Sequence, residues 1–259
     1  MLTILIERLR QGMRTTDYPL GPAPFPERWR GRPRIDASKC PDGCDACAEA
    51  CPTGAIEWPK GAPRIDLGRC LFCTACVEAC PPGAVTYTRD PALATRTRED
   101  LVVRGDERKL AAALDEKMLS LFGRSLRLRQ VCAGGCNGCE AELMATGNVI
   151  FDLSRFGIQF VASPRHADGL VITGPVTDNM KSALLETYEA VPPPRLVIAV
   201  GACAISGGPL VGSTVCNDGV GALVPVDLFI PGCPPHPITV LDGLLRLLGR
   251  MPAADPQSL

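Results

Sequence analysis

The 259-residue chain has few aromatic residues, only 2 histidines and almost no net charge. Aromatic residues make up 5% of the sequence, and the formal net charge at pH 7 is −1. Proteins that bind nucleic acid depend on basic surfaces, and often on aromatic rings that stack on bases. The composition therefore argues against a nucleic-acid partner, and we expect none.

Long hydrophobic runs are also missing. The longest, Leu196 to Ile205, is about half of the roughly 20 residues that a membrane-spanning helix needs. The apolar N-terminus, residues 1–13, contains Glu7, Arg8 and Arg10 and has no small-residue cleavage site, so no signal peptide is expected. The sequence thus predicts a cytoplasmic protein that reaches a membrane only through partner subunits.

Cysteine, in contrast, is abundant, with 14 residues. A protein that is not exported stays in a reducing compartment, where disulfides are rare. The cysteines are therefore predicted to bind metal or to take part in redox chemistry.

The first 100 residues contain an internal repeat. R-I-D-A-S-K-C at 34–40 matches R-I-D-L-G-R-C at 64–70, and C-D-A-C-A-E-A-C-P-T-G-A-I at 44–56 matches C-T-A-C-V-E-A-C-P-P-G-A-V at 73–85. The second copy reads C-x2-C-x2-C-x3-C-P. The first reads C-x3-C-x2-C-x3-C-P, so it has one extra residue between Cys40 and Cys44.

This spacing is typical of cysteines that bind cubane [4Fe–4S] clusters, where three cysteines of one loop share a cluster and the fourth crosses to the other cluster. By this rule the first cluster is bound by Cys40, Cys44, Cys47 and Cys80. The second is bound by Cys51, Cys70, Cys73 and Cys76. Zinc is the alternative, because structural zinc sites also pair C-x2-C units. The duplicated pattern ending in C-P favours iron–sulfur clusters.

Residues 1–100 resemble bacterial ferredoxins with two [4Fe–4S] clusters. T-T-D-Y-P-L at 15–20 and F-P-E-R-W-R-G-R-P at 25–33 are more specifically similar to the ferredoxin-like subunit of formate hydrogenlyase, and complex I has a related subunit. The resemblance implies an α+β ferredoxin-like domain that holds two clusters.

Residues 86–109 are rich in Arg, Thr, Asp and Glu and predict a solvated connection. Leu110, Leu114, Met118 and Leu121 follow at helical spacing, which predicts a linker helix within 101–124 that ends at Gly123. We expect this helix to pack on its own domain, with docking to a partner as the alternative.

From residue 125 onwards, short apolar strands alternate with helices. The predicted strands are Leu126–Val131, Ile158–Ala162, Gly169–Thr173, Leu196–Val200 and Val226–Ile230. The predicted helices are Glu140–Ile150, Asp178–Val191 and Ile238–Leu248. This alternation favours a mostly parallel sheet with helices on its faces.

Four more cysteines, Cys136, Cys139, Cys203 and Cys233, follow the carboxyl ends of predicted strands. In open α/β sheets that edge forms the ligand crevice, so the four thiols are predicted to converge on a third [4Fe–4S] cluster. The alternative is that they are small buried hydrophobic residues. The Gly and Pro residues beside them favour close backbone approach and hence the cluster. Cys132 and Cys216 lack this context and are predicted not to be ligands.

Residues 125–250 resemble the small, electron-transferring subunit of group 4 energy-converting [NiFe] hydrogenases, which is homologous to the B subunit of NADH:quinone oxidoreductase. The matching segments are G-G-C-N-G-C-E, S-P-R-H-A-D, T-G-P-V-T, G-A-C-A-I-S-G-G and P-V-D-L-F-I-P-G-C-P-P. The resemblance implies an α/β flavodoxin-like domain with a mostly parallel sheet, followed by a tail at 251–259.

Two details favour the hydrogenase branch. The complex I subunit has adjacent cysteines where this chain has C-N-G-C, and it usually has A-G-T-V-T where this chain has T-G-P-V-T at 173–177. The chain also departs from the family, which often has Asp at the position of Cys132 and usually keeps the ferredoxin and the small subunit as separate chains.

The resemblance implies that three [4Fe–4S] clusters pass electrons to a nickel site in a hydrogenase large subunit, and no flavin or nicotinamide site is expected. Attachment to the inner face of the cell membrane through antiporter-like subunits is also implied. The electron donor stays open among formate dehydrogenase, carbon monoxide dehydrogenase and ferredoxin. The alternatives are a B-type subunit of a complex-I-like quinone or sulfur oxidoreductase, beside a 49 kDa-like subunit, and a free soluble ferredoxin.

Four further residues lie in or near the motifs of the second half. Glu140 and Glu142 are at the start of a predicted helix, where carboxylates favour the helix dipole, so capping is expected. The resemblance to hydrogenases also implies a role in proton transfer for Glu140. His166 is interpreted as a structural or interface residue, and His236 as a loop residue near the third cluster.

Overall fold

A computed structural model of the chain describes residues 2–23, 25–59 and 62–251. The α-helices are α1 Leu2–Gln11, α2 Ala46–Glu49, α3 Ala75–Glu78, α4 Glu116–Phe122, α5 Gly138–Ala145, α6 Asp178–Ala190, α7 Ala202–Ser206 and α8 Pro237–Leu247. The strands are β1 Pro33–Ile35, β2 Ile56–Glu57, β3 Arg64–Asp66, β4 Val85–Tyr87, β5 Val102–Val103, β6 Leu126–Cys132, β7 Ile158–Phe160, β8 Gly169–Thr173, β9 Leu196–Val200 and β10 Leu228–Ile230.

The repeated segment forms two copies of a strand, a cysteine loop, a short helix and a second strand. Strand β1 of the first copy pairs antiparallel with β4 of the second, so that Ile35 lies opposite Val85. Strand β2 pairs antiparallel with β3, which joins the copies a second time. Because the copies are interleaved through both strand pairs, each cysteine loop lies beside residues of the other copy.

The segment predicted as a solvated connection, residues 86–109, is only partly exposed, because several of its residues pair with strands or enter the core. Strand β5 pairs with β3. Further on the N-terminal side, Thr95 exchanges two backbone hydrogen bonds with Phe229, of 3.0 and 2.9 Å. Leu93, Ala94 and Leu101 are at most 4% exposed. The charged residues that suggested solvation alternate with small and apolar residues, and those enter the core.

The predicted linker helix is shorter than the apolar spacing indicates. It begins at Glu116 because the Asp115 side chain accepts a hydrogen bond of 2.9 Å from the backbone N–H of Met118, which caps the first turn. Leu114 lies before the helix, is buried, and donates its backbone N–H to the carbonyl of Leu247. Leu121 is exposed. The segment 110–114 is therefore not helical, and it contacts the C-terminal end of α8 through Leu114.

In the second half, five parallel strands form one sheet with the order β10-β9-β8-β6-β7. Numbered within this half, the order is 2-1-3-4-5, which is the flavodoxin-like arrangement. The predicted fold class, a ferredoxin-like region followed by a flavodoxin-like domain with a parallel sheet, is confirmed. The predicted helix at Glu140–Ile150 begins two residues earlier and ends at Ala145, and the short helix α7 was not predicted.

Buried residues of both halves pack in one hydrophobic core. Gly68 of the ferredoxin-like region lies against α7, where a Cβ atom would be 2.7 Å from the Ile205 side chain. The Ser206 hydroxyl donates a 2.8 Å hydrogen bond to the Gly68 carbonyl. This close contact fixes the second cysteine loop against the sheet that carries the other cysteines.

Helix α1 carries apolar residues that are exposed, among them Leu5 at 59% and Leu9 at 82%. Within the described ranges, we find no helix with the length and apolar character required to cross a membrane. The predicted tail at 251–259 lies, apart from Met251, outside the described residues.

Candidate functional site

The structure brings Cys51, Cys70, Cys73 and Cys76 to the wall of one cavity. The cavity contains about 380 Å³ of space, part of it open to solvent, and the remaining lining is mainly apolar. Cys70, Cys73 and Cys76 come from the second loop and α3, whereas Cys51 comes from the first copy. Cys51 of the first copy therefore lies with three thiols of the second copy.

At this second site, burial disfavours isolated thiolates at Cys70 and Cys76. Burial raises the pKa of Cys70 to about 12, and the neighbouring thiols of Cys76, Cys51 and Cys73 add to the shift. The backbone N–H of Phe72 donates to the Cys70 sulfur at 3.3 Å and opposes it. Buried thiolates that repel one another need a cationic partner, which the irons of a cluster supply.

The first site is built in the same way. Burial raises the pKa of Cys40, and the nearby thiols of Cys80 and Cys44 raise it further. Cys47, on α2, is buried and also lies near Cys80 and Cys40. The structure thus groups the four cysteines predicted for this site, with Cys80 crossing from the second copy.

The two crossing cysteines receive matched hydrogen bonds. The N–H of Ala55 donates to the Cys51 sulfur at 3.2 Å, and the N–H of Ala84 donates to the Cys80 sulfur at 3.2 Å. Ala55 and Ala84 follow a Gly residue with positive φ in the repeated turn, Gly54 at 59° and Gly83 at 63°. The C-P-x-G-A sequence therefore turns a backbone donor onto each crossing sulfur.

The third group lies at the carboxyl edge of the parallel sheet. Cys136 and Cys139 follow β6, Cys203 is on α7 after β9, and Cys233 follows β10. Burial raises the pKa of Cys139, with Glu140 and the thiols of Cys203, Cys233 and Cys136 adding to it. Burial also raises the pKa of Cys203 to about 11. The four predicted ligands of the third cluster are therefore neighbours.

Glycines make room at this third site. A Cβ atom at Gly201, whose φ is 89°, would lie 2.5 Å from the Cys139 sulfur. A Cβ atom at Gly208 would lie 2.9 Å from the Cys203 sulfur. The positive φ angles and the clearance are both specific to glycine, so these positions are adapted to the crowded sulfurs.

The second and third sites adjoin. Burial raises the pKa of Cys233, and the thiols of Cys136 and Cys73 contribute in that order. Cys73 belongs to the second site, so its thiol is close enough to influence the third. Phe72, buried and held at a φ of 52°, lines a separate cavity together with Cys233; this cavity contains about 710 Å³ of space, part of it open to solvent.

Cys132 and Cys216 occupy different surroundings. Cys132, which is exposed at the end of β6, lies beside Glu140 and hydrogen-bonds to it. Cys216 pairs with Thr177 in an isolated backbone bridge. Neither thiol is grouped with the three sets of four.

Glu140 is 7% exposed and accepts a hydrogen bond of 2.5 Å from the Thr173 hydroxyl. Burial raises its pKa, but the hydrogen bonds from Cys132 and Thr173 outweigh burial and hold the pKa below its usual range. Burial raises the pKa of Glu142. Thr173, at the end of β8, was not singled out from the sequence because no motif marks it as a donor.

The two histidines differ. His166 is exposed in a single turn before β8. His236 caps α8, since its Nδ1 accepts a 3.1 Å hydrogen bond from the N–H of Ile238, and it packs against the stacked rings of Phe25 and Trp29. Burial lowers the pKa of His236 to about 4.

The donor set fits iron–sulfur clusters. Among the described residues, no three His, Cys, Asp or Glu side chains are close enough to hold a single metal ion. A cubane cluster presents a separate iron to each thiolate, so its sulfurs lie further apart than the ligands of one ion. Three groups of four thiols, with N–H groups directed at the sulfurs and glycine clearance around them, suit such a cofactor.

Comparison with known proteins agrees with this division. Residues 136–247 match the family model "NADH ubiquinone oxidoreductase, 20 Kd subunit", and residues 39–84 match a "4Fe-4S dicluster domain". Iron–sulfur clusters are thus supported as the cofactors.

Three curated relatives illustrate the similarity. Formate hydrogenlyase subunit 7 of Escherichia coli is 44% identical over 138 residues, which is 53% of this chain and 54% of the relative. A probable membrane-bound hydrogenase subunit of Pyrococcus furiosus is 39% identical over 145 residues, 56% of this chain and 87% of the relative. The B subunit of NADH-quinone oxidoreductase from Heliobacterium modesticaldum is 43% identical over 120 residues, 46% of this chain and 69% of the relative.

The chain spans about half the length of the Escherichia coli relative and most of the Pyrococcus relative. The match to the Pyrococcus relative, together with the sheet order and the four cysteines at the edge of the sheet, assigns the second half to a family. The chain belongs to the family of the 20 kDa, or B, subunit of NADH:quinone oxidoreductase and its hydrogenase homologues, here joined to a 4Fe–4S dicluster domain.

Proposed function

We propose that the chain is the electron-transfer subunit of a membrane-associated group 4 [NiFe] hydrogenase of the formate hydrogenlyase or energy-converting type. Its relatives are subunits of hydrogenases and of NADH-quinone oxidoreductases, so an oxidoreductase complex is the common setting. The observation that carries the proposal is the proximity of the second and third groups of thiols, since the Cys73 thiol contributes to the raised pKa of Cys233. When bound, three [4Fe–4S] clusters would supply one-electron carriers in a line that runs from the first group of thiols through the second to the third.

The three groups would hold the clusters as follows. The first is Cys40, Cys44, Cys47 and Cys80, the second is Cys51, Cys70, Cys73 and Cys76, and the third is Cys136, Cys139, Cys203 and Cys233. We place the outer end of the line at the first group, because its loop residues Pro41 to Gly43 are exposed. The second group is interior, since the equivalent loop is covered by Phe72 and the sheet domain.

The catalytic large subunit is proposed to dock on the third group. Cys136 and Cys233 are exposed at the carboxyl edge of the sheet, so this rim faces outward in the isolated chain. Met144, on the same helix α5 as Cys139, and Val149, which follows that helix, are large apolar residues that are 76% and 66% exposed. A partner that covers this rim would bury the apolar residues and exclude water from the thiols.

The hydrogenase branch is favoured by local sequence at the same rim. The C-N-G-C loop places Asn137 at a φ of 69° between the two cysteines, and T-G-P-V-T places Val176 at a φ of 55°. These segments differ from the adjacent cysteines and the A-G-T-V-T sequence of the quinone branch. The second candidate is a B-type subunit of a complex-I-like quinone or sulfur oxidoreductase, which the similarity to the B subunit of NADH-quinone oxidoreductase supports.

Membrane association is proposed to come from partner subunits of antiporter type on the inner face of the cell membrane. The electron donor, whether formate dehydrogenase, carbon monoxide dehydrogenase or ferredoxin, would approach the exposed first loop. A free soluble ferredoxin is disfavoured by the exposed apolar side chains of Met144 and Val149.

The deciding experiment is anaerobic purification of the tagged chain from solubilised native membranes, followed by metal analysis and a hydrogen-evolution assay with a reduced dye. Nickel together with hydrogen evolution supports the hydrogenase. A stable complex with iron and sulfide but without nickel refutes it and moves the function to the quinone or sulfur branch.

A role of Glu140 in proton transfer is a separate proposal that can be tested in the same complex. Glu140→Gln keeps the Oε1 atom that accepts from Thr173 but cannot donate and accept protons as a carboxyl group. If Glu140 transfers protons, hydrogen evolution falls while the cluster signals stay unchanged. Unchanged hydrogen evolution would assign Glu140 to anchoring Thr173 alone.

A further inference from the structure

The internal repeat contains an equivalence beyond the cysteines. C-P-T-G-A-I-E-W at 51–58 aligns with C-P-P-G-A-V-T-Y at 80–87, so that Trp58 corresponds to Tyr87 with the offset of 29 residues. With the same offset, Cys47 corresponds to Cys76. Each copy therefore carries an aromatic side chain with one polar hydrogen at the same distance along the chain from its third cysteine.

Trp58 presents an unused donor to the first site. Its Nε1 atom is buried, and within the described part of the chain it has no hydrogen-bond partner of ordinary geometry. Trp58 packs against the core cluster that contains Cys47. Burial raises the pKa of Cys47, and the side chain of Trp58 is near enough to its thiol to oppose that shift. A buried N–H without an acceptor is costly, so the group that it faces matters.

Tyr87 stands in the same place at the second site but is already engaged. Its hydroxyl donates to the backbone carbonyl of Cys73 at 2.5 Å, and its ring lines the cavity formed by the second group of thiols. The same oxygen lies beside Cys76. A phenol has a single proton, so Tyr87 cannot donate to the Cys73 carbonyl and to the Cys76 sulfur at once.

We propose that Trp58 and Tyr87 are a matched pair that sets the reduction potentials of the two ferredoxin-like clusters unequally. The indole N–H of Trp58 donates to the Cys47 sulfur, whereas the Tyr87 hydroxyl donates mainly to the Cys73 carbonyl. The inference rests on the proposed binding of clusters by these two groups. Neither aromatic residue is a ligand, and both act by orienting a donor.

The direction of the effect follows from charge. Reduction adds an electron to a cluster and its thiolates, so a hydrogen bond to sulfur is stronger in the reduced state and raises the potential. The Trp58 N–H has no competing acceptor, so its loss is expected to act in full on the reduction potential of the first cluster. The Tyr87 hydroxyl is shared with a carbonyl, so its loss is expected to change the reduction potential of the second cluster less.

The test is a redox titration of the full chain, purified anaerobically, with each cluster followed by electron paramagnetic resonance. The variants are Trp58→Phe and Tyr87→Phe, which keep an aromatic ring and remove the donor. Tyr188→Phe, at a residue that packs against Arg195 on the far side of the sheet domain, is the control for a lost phenol. In each of the two test variants, the cluster of the other copy reports whether the fold is intact.

In Trp58→Phe, the one-electron equilibrium constant for reduction of the first cluster is expected to fall about tenfold. This corresponds to a reduction potential that is lower by about 59 mV. Tyr87→Phe is expected to lower the potential of the second cluster by clearly less. The vibrational frequency of the Fe–S(Cys) bonds of the first cluster should rise in Trp58→Phe, since a hydrogen bond to sulfur weakens those bonds.

An unchanged first potential in Trp58→Phe, or equal shifts in the two variants, would overturn the proposal while leaving the clusters themselves in place. Absence of two ferredoxin-like [4Fe–4S] signals in the unaltered chain would instead overturn the proposed function, and this inference with it. The two failures are therefore distinguishable in one experiment.

Discussion

The two copies of the repeat use nearly the same cysteine spacing in different surroundings. In the first copy, loop residues Pro41, Asp42 and Gly43 are exposed. In the second, the loop carries Phe72, which is 9% exposed and lines a cavity together with Cys233 of the other half. Nearly equal spacing gathers equal sets of thiols, but under the proposed function burial would decide which site can meet a soluble donor and which can only relay electrons inward.

The third site shows a different way of gathering four thiols. The ferredoxin-like sites take three ligands from one loop, so their geometry is mostly local. The third site takes its ligands from the ends of β6, β9 and β10, so it exists only when the sheet is formed. Changes to the fold should therefore affect the third site first, and changes to a single loop should affect one of the first two.

The crossing of ligands gives the largest expected effect. Cys51→Ser, although it lies in the first copy, should abolish the second cluster and leave the first, with a loss of about a third of the iron. Iron analysis and electron paramagnetic resonance measure this. Cys132→Ser is the control and should keep the full iron content, because Cys132 lies outside the three groups. Loss of the first cluster in Cys51→Ser would contradict the assigned crossing.

The dependence of the third site on glycine clearance is the next largest effect. Gly201→Ala brings a Cβ atom within 2.5 Å of the Cys139 sulfur, and we expect the third cluster alone to be lost. Gly212→Ala is the matched control, because Gly212 also has a positive φ, 75°, but nothing lies within 4 Å of its added Cβ. Equal cluster content in the two variants would show that clearance at Gly201 is unimportant.

The surroundings of Cys233 also predict a dependence of stability on pH. The pKa of His236 is about 4 in the folded chain, below its usual 6.5, so folding favours the neutral ring. This contribution is complete above pH 6.5 and is lost as the pH falls toward 4, by about 3 kcal/mol at most. The expected change is a steeper loss of unfolding free energy over this range than in His236→Asn, which keeps an acceptor for the N–H of Ile238.

Urea unfolding at several pH values, followed by the fluorescence of Trp29 beside the histidine, measures this difference. Glu142, Arg28 and Arg30 line the same cavity, and they are unchanged in both proteins. Parallel pH profiles for the two proteins would contradict the assignment to His236.

The extra residue of the first copy should have the smallest effect. Deletion of Asp42 restores the C-x2-C spacing of the second copy in a loop that is exposed and free of close neighbours at Gly43. We expect the first cluster to remain, with a potential that changes little. Loss of the first cluster on deletion would show that the wider loop is required.

Much of this architecture is readable from the sequence because ligand spacing and strand periodicity are local properties. The repeat predicts which cysteine crosses, and the five apolar strands predict the sheet. The burial of Leu93 and Ala94 within residues 86–109 and the position of Leu114 before α4 were not predicted, since they depend on the pairing of Thr95 with Phe229 and on the hydrogen bond between Leu114 and Leu247. The roles of Trp58, Phe72 and Tyr87 were also missed, because a hydrogen-bond donor has meaning only once its acceptor is placed.

The most direct test of the account is native mass spectrometry of the anaerobically purified chain, which weighs the cofactors on each polypeptide. We expect a mass increase equal to three [4Fe–4S] clusters, with about twelve iron atoms per chain. A mass increase equal to two clusters would contradict the third site, and one equal to a few zinc ions would contradict the account as a whole.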